Sequence, residues 1–287
     1  MSGPYVTVLG IAQDGGHPQA GCLAPCCRDA WGDPGRRHRV SCLGIVIPGA
    51  GAYLIDATPD LGHQIHDLGV QTSGAGTFAP AGIFLTHAHM GHVLGLLHLG
   101  REAMGAKAVP VFAMPRLLDF LSRNAPWSLL ASWGHAAWRP LAAGRPVPLT
   151  GGVGVTPVAV PHRGELSETV GYVISGARGR ILYVPDIDSW DLWDVPLEEA
   201  VARVDHAYLD GTFFDEGELP GRFAAVAHPS VRATVERIQR RAPELSGRVR
   251  FLHLNHTNPL LQGGGEARDL LDAAGCHVAR EGERRPI

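Results

Sequence analysis

Lysine is almost absent from this chain: Lys107 is the single one among 287 residues, and arginine carries nearly all the positive charge. Lys and Arg total 25 against 28 Asp and Glu, a formal net charge of −3, so no broad basic field favours nucleic acid or an anionic membrane. No apolar run is long enough to cross a bilayer, and the opening Met1 to Gly10 lacks a basic segment followed by an apolar stretch. These absences predict a cytoplasmic protein with a small-molecule partner and with neither nucleic acid nor membrane. Cysteine is sparse as well: three of the five crowd into Cys22-Leu23-Ala24-Pro25-Cys26-Cys27 while Cys42 and Cys276 stand apart, unlike the spacing of a secreted disulfide framework. Neither a Ser/Gly linker nor a repeat of solenoid period divides the chain, so one layered domain over 1–287 is expected.

What is abundant is glycine (37), proline (22) and histidine (15). The glycines are spread through apolar segments, which predicts many turns and shaped loops rather than low-complexity disorder. The histidines cluster, the first hint of metal chemistry. Strand patterns occur at 5–10, 42–48, 51–56, 81–86, 109–113, 153–158, 171–174, 181–184, 206–209 and 250–254, and helical periodicity at about 60–69, 92–104, 115–123, 192–203, 229–241 and 266–274. Strands lead and helices interleave, an α/β pattern.

The strand ending at Thr86 runs straight into His87-Ala88-His89-Met90-Gly91-His92. On a tight turn His87 and His89 can share an ion, and His92 can address an adjacent one; neutral imidazoles favour zinc and also suit iron and manganese. The pattern resembles the His-x-His-x-Asp-His signature of the metallo-β-lactamase superfamily, and His162, Asp186 and His253 follow in that superfamily's order. The resemblance implies a four-layer αββα sandwich of two mixed sheets flanked by helices. It also implies one metal on His87, His89 and His162, a second on His92 and His253, and Asp186 bridging. Gly91 stands where the superfamily has an aspartate ligand, which should leave the second site weaker, differently filled or empty unless Asp14, Asp60 or Asp188 replaces it.

Gly10-Ile11-Ala12-Gln13-Asp14-Gly15-Gly16 and the cysteine cluster resemble the subgroup containing the cyclic-phosphate phosphodiesterase of the carbon–phosphorus lyase pathway. That resemblance implies a structural zinc on Cys22, Cys26, Cys27 and His256. The family spaces its cysteines as Cys-x-Cys-x-x-Cys, whereas Ala24 occupies the middle position here, and adjacent Cys26 and Cys27 should strain a tetrahedral site. Asp56-Ala57-Thr58-Pro59-Asp60, Leu209-Asp210-Gly211-Thr212, Ala227-His228-Pro229 and His256-Thr257-Asn258-Pro259 resemble the pyrroloquinoline quinone biosynthesis protein B family instead.

The expected chemistry is hydrolysis by a hydroxide generated at the metal, zinc first and manganese or iron as alternatives, on a small or cyclic phosphate ester. Catalytic roles fall on Asp186 and on His228, the match to a proton-donating histidine of the phosphodiesterases; the alternative for His228 is a cap on its own helix. Asp210 is read as a residue orienting a ligand histidine or as a turn former, and Thr86 and Asp56 as structural or orienting. An iron-dependent oxygenase of small-molecule biosynthesis is the competing enzyme class. Trp127, Trp133 and Trp138 either wall a pocket or pack, His63, His66, His98 and His135 carry no motif, and the resemblance makes a homodimer one expected assembly.

Overall fold

A computed structural model describes residues 3–72, 76–219, 221, 226 and 228–287; Ala227 of the Ala227-His228-Pro229 segment lies outside them. Strand β1 (Tyr5–Gly10) pairs antiparallel with β2 (Cys42–Ile47), and β2 with β3 (Gly51–Ile55). Along β2, Leu43, Ile45 and Ile47 enter one buried cluster while Cys42 and Val46 enter another. A strand sends successive side chains to opposite faces, so an uninterrupted apolar run marks a sheet covered on both sides. Strands β4 (Gly82–Phe84), β5 (Val109–Ala113) and β6 (Ala136–Pro140) extend this sheet in parallel, and β14 (Arg284–Pro286) closes its other edge, in the order β14-β1-β2-β3-β4-β5-β6.

The second sheet mirrors the first. Its order is β13-β12-β11-β10-β9-β8-β7, from β7 (Val147–Pro148), β8 (Gly154–Ala159), β9 (Val170–Ser175), β10 (Arg180–Val184), β11 (His206–Asp210), β12 (Val249–Leu252) and β13 (His277–Val278). Between the sheets Phe84 meets Tyr172 edge-on at 5.7 Å, and the buried Tyr172 hydroxyl donates to the Leu85 carbonyl at 2.5 Å. Helices α2 (Leu61–Thr72), α4 (Pro115–Arg123) and α5 (Trp127–Ser132) pack Leu61, Leu68, Leu117, Leu121 and Leu130 on the outer face of the first sheet. Helices α6 (Leu197–Ala202), α7 (Val231–Arg241) and α8 (Glu266–Ala274) bring Leu197, Val201, Val235, Ile238 and Leu271 to the second. Two mixed sheets flanked by helices are the expected αββα architecture. No helix among the described residues is long and apolar enough to cross a membrane.

Several expectations need correction. The periodicity at 92–104 yields only the short α3 (Met90–Val93) and a 3₁₀ stretch Leu94–Leu99. At Gly95 a Cβ would stand 2.0 Å from the Thr58 carbonyl oxygen, so the chain crosses there by backbone contact. The helix expected over 192–203 begins only at Leu197, after Pro196. Residues 25–32, for which no helix is expected, form α1 (Pro25–Gly32), with proline at its start. The segment carrying the three tryptophans contains α5, β6 and β7; Trp127 and Trp138 pack on the core of the first sheet, while Trp133 is exposed beneath Arg101.

Candidate metal centre

Parallel strands end side by side and deliver their following residues to one point. Asp56 follows β3, His87 follows the β4 extension, Asp186 follows β10 and His253 follows β12. Ligands commonly gather at the carboxyl ends of strands for this reason. His162 arrives from the loop after β8. His87, His89 and His162 bring ligand atoms within 4.8 Å of one another, as do Asp14, His92 and His253, and as do His87, His92 and Asp186. Asp186 lies between the groups: Oδ2 is 3.2 Å from His92 Nε2 and 3.4 Å from His253 Nε2, and Oδ1 is 3.7 Å from His162 Nε2.

An Asp–Thr pair fixes the histidines of each sheet. The buried Asp56 Oδ1 accepts from the Thr86 amide at 2.8 Å and hydroxyl at 2.9 Å, and Oδ2 lies 2.8 Å from His92 Nδ1. With its hydroxyl proton committed to Asp56, Thr86 can only accept from His87 Nδ1, 3.0 Å away. Both Nδ1 atoms therefore carry protons, and both Nε2 atoms face the centre. In the second sheet Asp210 Oδ1 accepts from the Thr212 amide at 2.9 Å and hydroxyl at 2.7 Å, Thr212 Oγ1 meets His253 Nδ1 at 2.9 Å, and Asp210 Oδ2 holds His228 Nδ1 at 2.7 Å. Asp210 thus orients histidines rather than forming a turn only. His228 does not cap α7, because Ser230 does so by accepting from the Ala233 amide.

The atoms converging here fit a cation. His87 Nε2, His92 Nε2, His162 Nε2, His253 Nε2, Asp14 Oδ1 and Asp186 Oδ2 are buried without a hydrogen-bond partner among the described residues. Each such atom costs about 1–3 kcal/mol unless something compensates it. Two ligands each ~2.05 Å from a tetrahedral zinc stand about 3.3 Å apart, and the His92 and His253 contacts to Asp186 bracket that separation at 3.2 and 3.4 Å. Burial holds His87, His89 and His162 below the usual imidazole pKa, which favours the neutral ligand form. Burial opposes ionisation of Asp186, but His253 and His92 outweigh it and hold the carboxyl well below its usual range.

The cysteine cluster closes in the same way. Cys22 Sγ lies 3.7 Å from Cys26 Sγ, and His256 Nδ1 lies 3.7 Å from Cys26 Sγ and 3.4 Å from Cys27 Sγ. Ligands on one zinc would stand about 3.8 Å apart for two sulfurs and about 3.6 Å for sulfur and nitrogen. Adjacent Cys26 and Cys27 sit in the first turn of α1, and both sulfurs lie near His256 Nδ1. His253 and His256 tie the two candidate centres to one short segment after β12.

The sequence matches the profile of the beta-lactamase superfamily domain over residues 52–254, well over half of the chain. The chain belongs to the beta-lactamase superfamily. It is 30% identical to the coenzyme PQQ synthesis protein B of Methylobacterium sp. (strain 4-46), over 96% of this chain and 97% of that one. In fold it resembles the Zn(2+)-bound PqqB of Methylobacterium extorquens, with a TM-score of 0.79 and 24% identity over 99% of this chain and 100% of that one. It also resembles a diphosphatase from the PhnP family, with a TM-score of 0.69 and 21% identity over 98% of this chain and 96% of the other.

Of the three acids open as substitutes for the superfamily aspartate at position 91, Asp60 and Asp188 face partners other than His92 and His253. Asp60 Oδ2 accepts from the Val40 amide at 2.8 Å. Asp188 Oδ1 lies 2.9 Å from His162 Nδ1, an ion-pair contact with a histidine of the other group. Asp14 Oδ1 stands 3.2 Å from His92 Nε2 and 3.5 Å from His253 Nε2. His63 and His66 are exposed on α2, and His135 bonds the Ala106 carbonyl, so none of these joins the superfamily site.

Proposed function

We propose that this chain is a metal-dependent hydrolase that cleaves small phosphodiesters, cyclic ones included. His87, His89 and His162 would hold one divalent ion, His92 and His253 a second, and Asp186 would bridge them. Such ions lower the pKa of a bound water towards neutrality and polarise a phosphoryl oxygen. A separate zinc on Cys22, Cys26, Cys27 and His256 would brace the loop between β1 and β2. The Zn(2+)-bound PqqB and the diphosphatase of the same fold support a metal and a phosphate substrate respectively.

The observation that carries the reading is His228. Its ring lies 5.3 Å from that of His162 and 6.2 Å from that of His253, with 13% of the side chain exposed. Burial pushes its pKa down, but Asp210, bonded to Nδ1, overrides this and raises it to about 9. The Asp210 carboxylate thus favours the protonated ring, and Nε2–H is left to donate to a leaving alkoxide. A proton donor beside the metal ligands is what phosphodiester cleavage needs.

The 30% identity to a PQQ synthesis protein over nearly the whole chain favours a second reading, an iron-dependent oxygenase of small-molecule biosynthesis. Metal analysis of freshly purified protein with two assays separates them. Zinc or manganese with turnover of bis(p-nitrophenyl) phosphate supports the hydrolase; iron with oxygen uptake and no phosphodiester turnover overturns it.

A further inference from the structure

Gly91 and Asp14 share one volume. A Cβ built on Gly91 would lie 2.0 Å from Asp14 Oδ1, 2.6 Å from its Cγ and 2.8 Å from its Cα. No side chain at 91 can coexist with Asp14 in this position, since real Cβ atoms do not approach heavy atoms under about 3 Å. The Asp14 carboxylate fills the space that a side chain at 91 would enter.

The backbone holds it there. After β1 the chain pairs with the segment carrying His253: Leu254 N donates to Ile11 O and Gln13 N to Leu254 O, both at 2.8 Å. Asp14 is the next residue, so the His253 segment and the Asp14 carboxylate are set in fixed register. Asp14 Oδ1 is buried, has no hydrogen-bond partner among the described residues, and faces the Nε2 atoms of His92 and His253 at 3.2 and 3.5 Å. Those separations match ligands on a common ion.

We infer that Asp14 is the carboxylate ligand of the second metal, completing an Asp14, His92, His253 and Asp186 set, and that Gly91 is the glycine which admits it. The second site then keeps its negative charge and ligand count instead of being weakened or empty. The assignment rests on the two-ion reading above and deepens it.

Metal stoichiometry tests it without reference to activity. Wild type, Asp14→Ala, Asp14→Asn, Gly91→Asp, and Asp14→Gly together with Gly91→Asp are equilibrated at buffered free Zn²⁺ or Co²⁺; bound ions are counted by mass spectrometry, and folding is followed by thermal melting. Asp14→Ala and Asp14→Asn should each lose one ion, with affinity at that site down at least about 100-fold, beyond the usual loss for an outer-shell partner. The other ion at the histidines and the cysteine-bound ion should be unchanged. Gly91→Asp alone should not gain affinity, because its carboxylate meets that of Asp14, whereas the double variant should recover the lost ion. Unchanged stoichiometry and affinity in folded Asp14→Ala overturns the assignment while sparing the two-ion reading; so does a folded double variant that stays one ion short. If the double variant does not fold, Asp14→Asn decides. A wild-type chain with fewer than two ions at the histidines overturns both.

Discussion

The Asp56–Thr86 and Asp210–Thr212 pairs are the same device built twice, once at the carboxyl end of each sheet. In each, one carboxylate oxygen accepts the threonine amide and hydroxyl, the hydroxyl receives one histidine, and the second oxygen holds another. The first pair serves His87 and His92, both buried. The second serves buried His253 and partly exposed His228. On the proposed assignment, identical wiring serves two ligands in one sheet, and a ligand plus a proton donor in the other. His92 Nε2 stands 3.2 Å from Asp186 and is fully buried, whereas His228, which also brings a ring nitrogen within 4.8 Å of Asp186 and His162, keeps 13% of its side chain exposed.

The largest effect should come from the residue that histidines of both devices face. Asp186→Asn removes the charge between the two ligand groups, and loss of metal assistance worth several kcal/mol should lower phosphodiester kcat about 10³-fold or more. Bound metal should fall with it; full metal content with near-normal kcat would show that Asp186 does not bridge. Next comes the asymmetry itself. His228→Asn should lower kcat by about 10²–10⁴-fold with metal content unchanged. Because the protonated ring is the active form, the wild-type rate should fall as pH rises through a value at or below about 9, nearby cations pulling it down, and that limb should vanish in the variant. A profile that keeps its alkaline limb would remove His228 from the chemistry.

The two carboxylates should then part company when each is neutralised. Asp56→Asn should weaken metal binding about 10–100-fold, as outer partners of ligand histidines do. Asp210→Asn should weaken it less, through His253 alone, and should also shift the alkaline limb to lower pH, because His228 loses the charge that raises it. Titrations with the two effects interchanged would contradict the division of roles. The smallest expected change is Thr86→Val against Thr212→Val: each loses one hydroxyl relay, about 10-fold at most in metal affinity, with Thr212→Val alone altering the pH profile.

The ligand histidines were legible because a motif of fixed spacing brings them from a strand into a tight turn, and helices such as Pro115–Arg123 were legible because proline and polar residues bound them. Strand Ala136–Pro140 was not, since its residues have little β character and its place comes from pairing with β5. The Asp–Thr relay of the first sheet was hidden for a related reason. Asp56 and Thr86 are 30 residues apart and meet only because β3 and β4 run parallel. Gly91 announced a missing carboxylate, yet choosing among Asp14, Asp60 and Asp188 required knowing that residues 11–13 pair with Leu254.

The central claim is that imidazoles wired by the two Asp–Thr pairs converge on divalent cations. Crystals of the full chain grown with Co²⁺, with anomalous maps recorded on both sides of the cobalt edge, test it most directly. One peak is expected among His87, His89 and His162, a second among Asp14, His92 and His253, and Asp186 between them. Absence of anomalous density at both positions in a well-ordered crystal would contradict it.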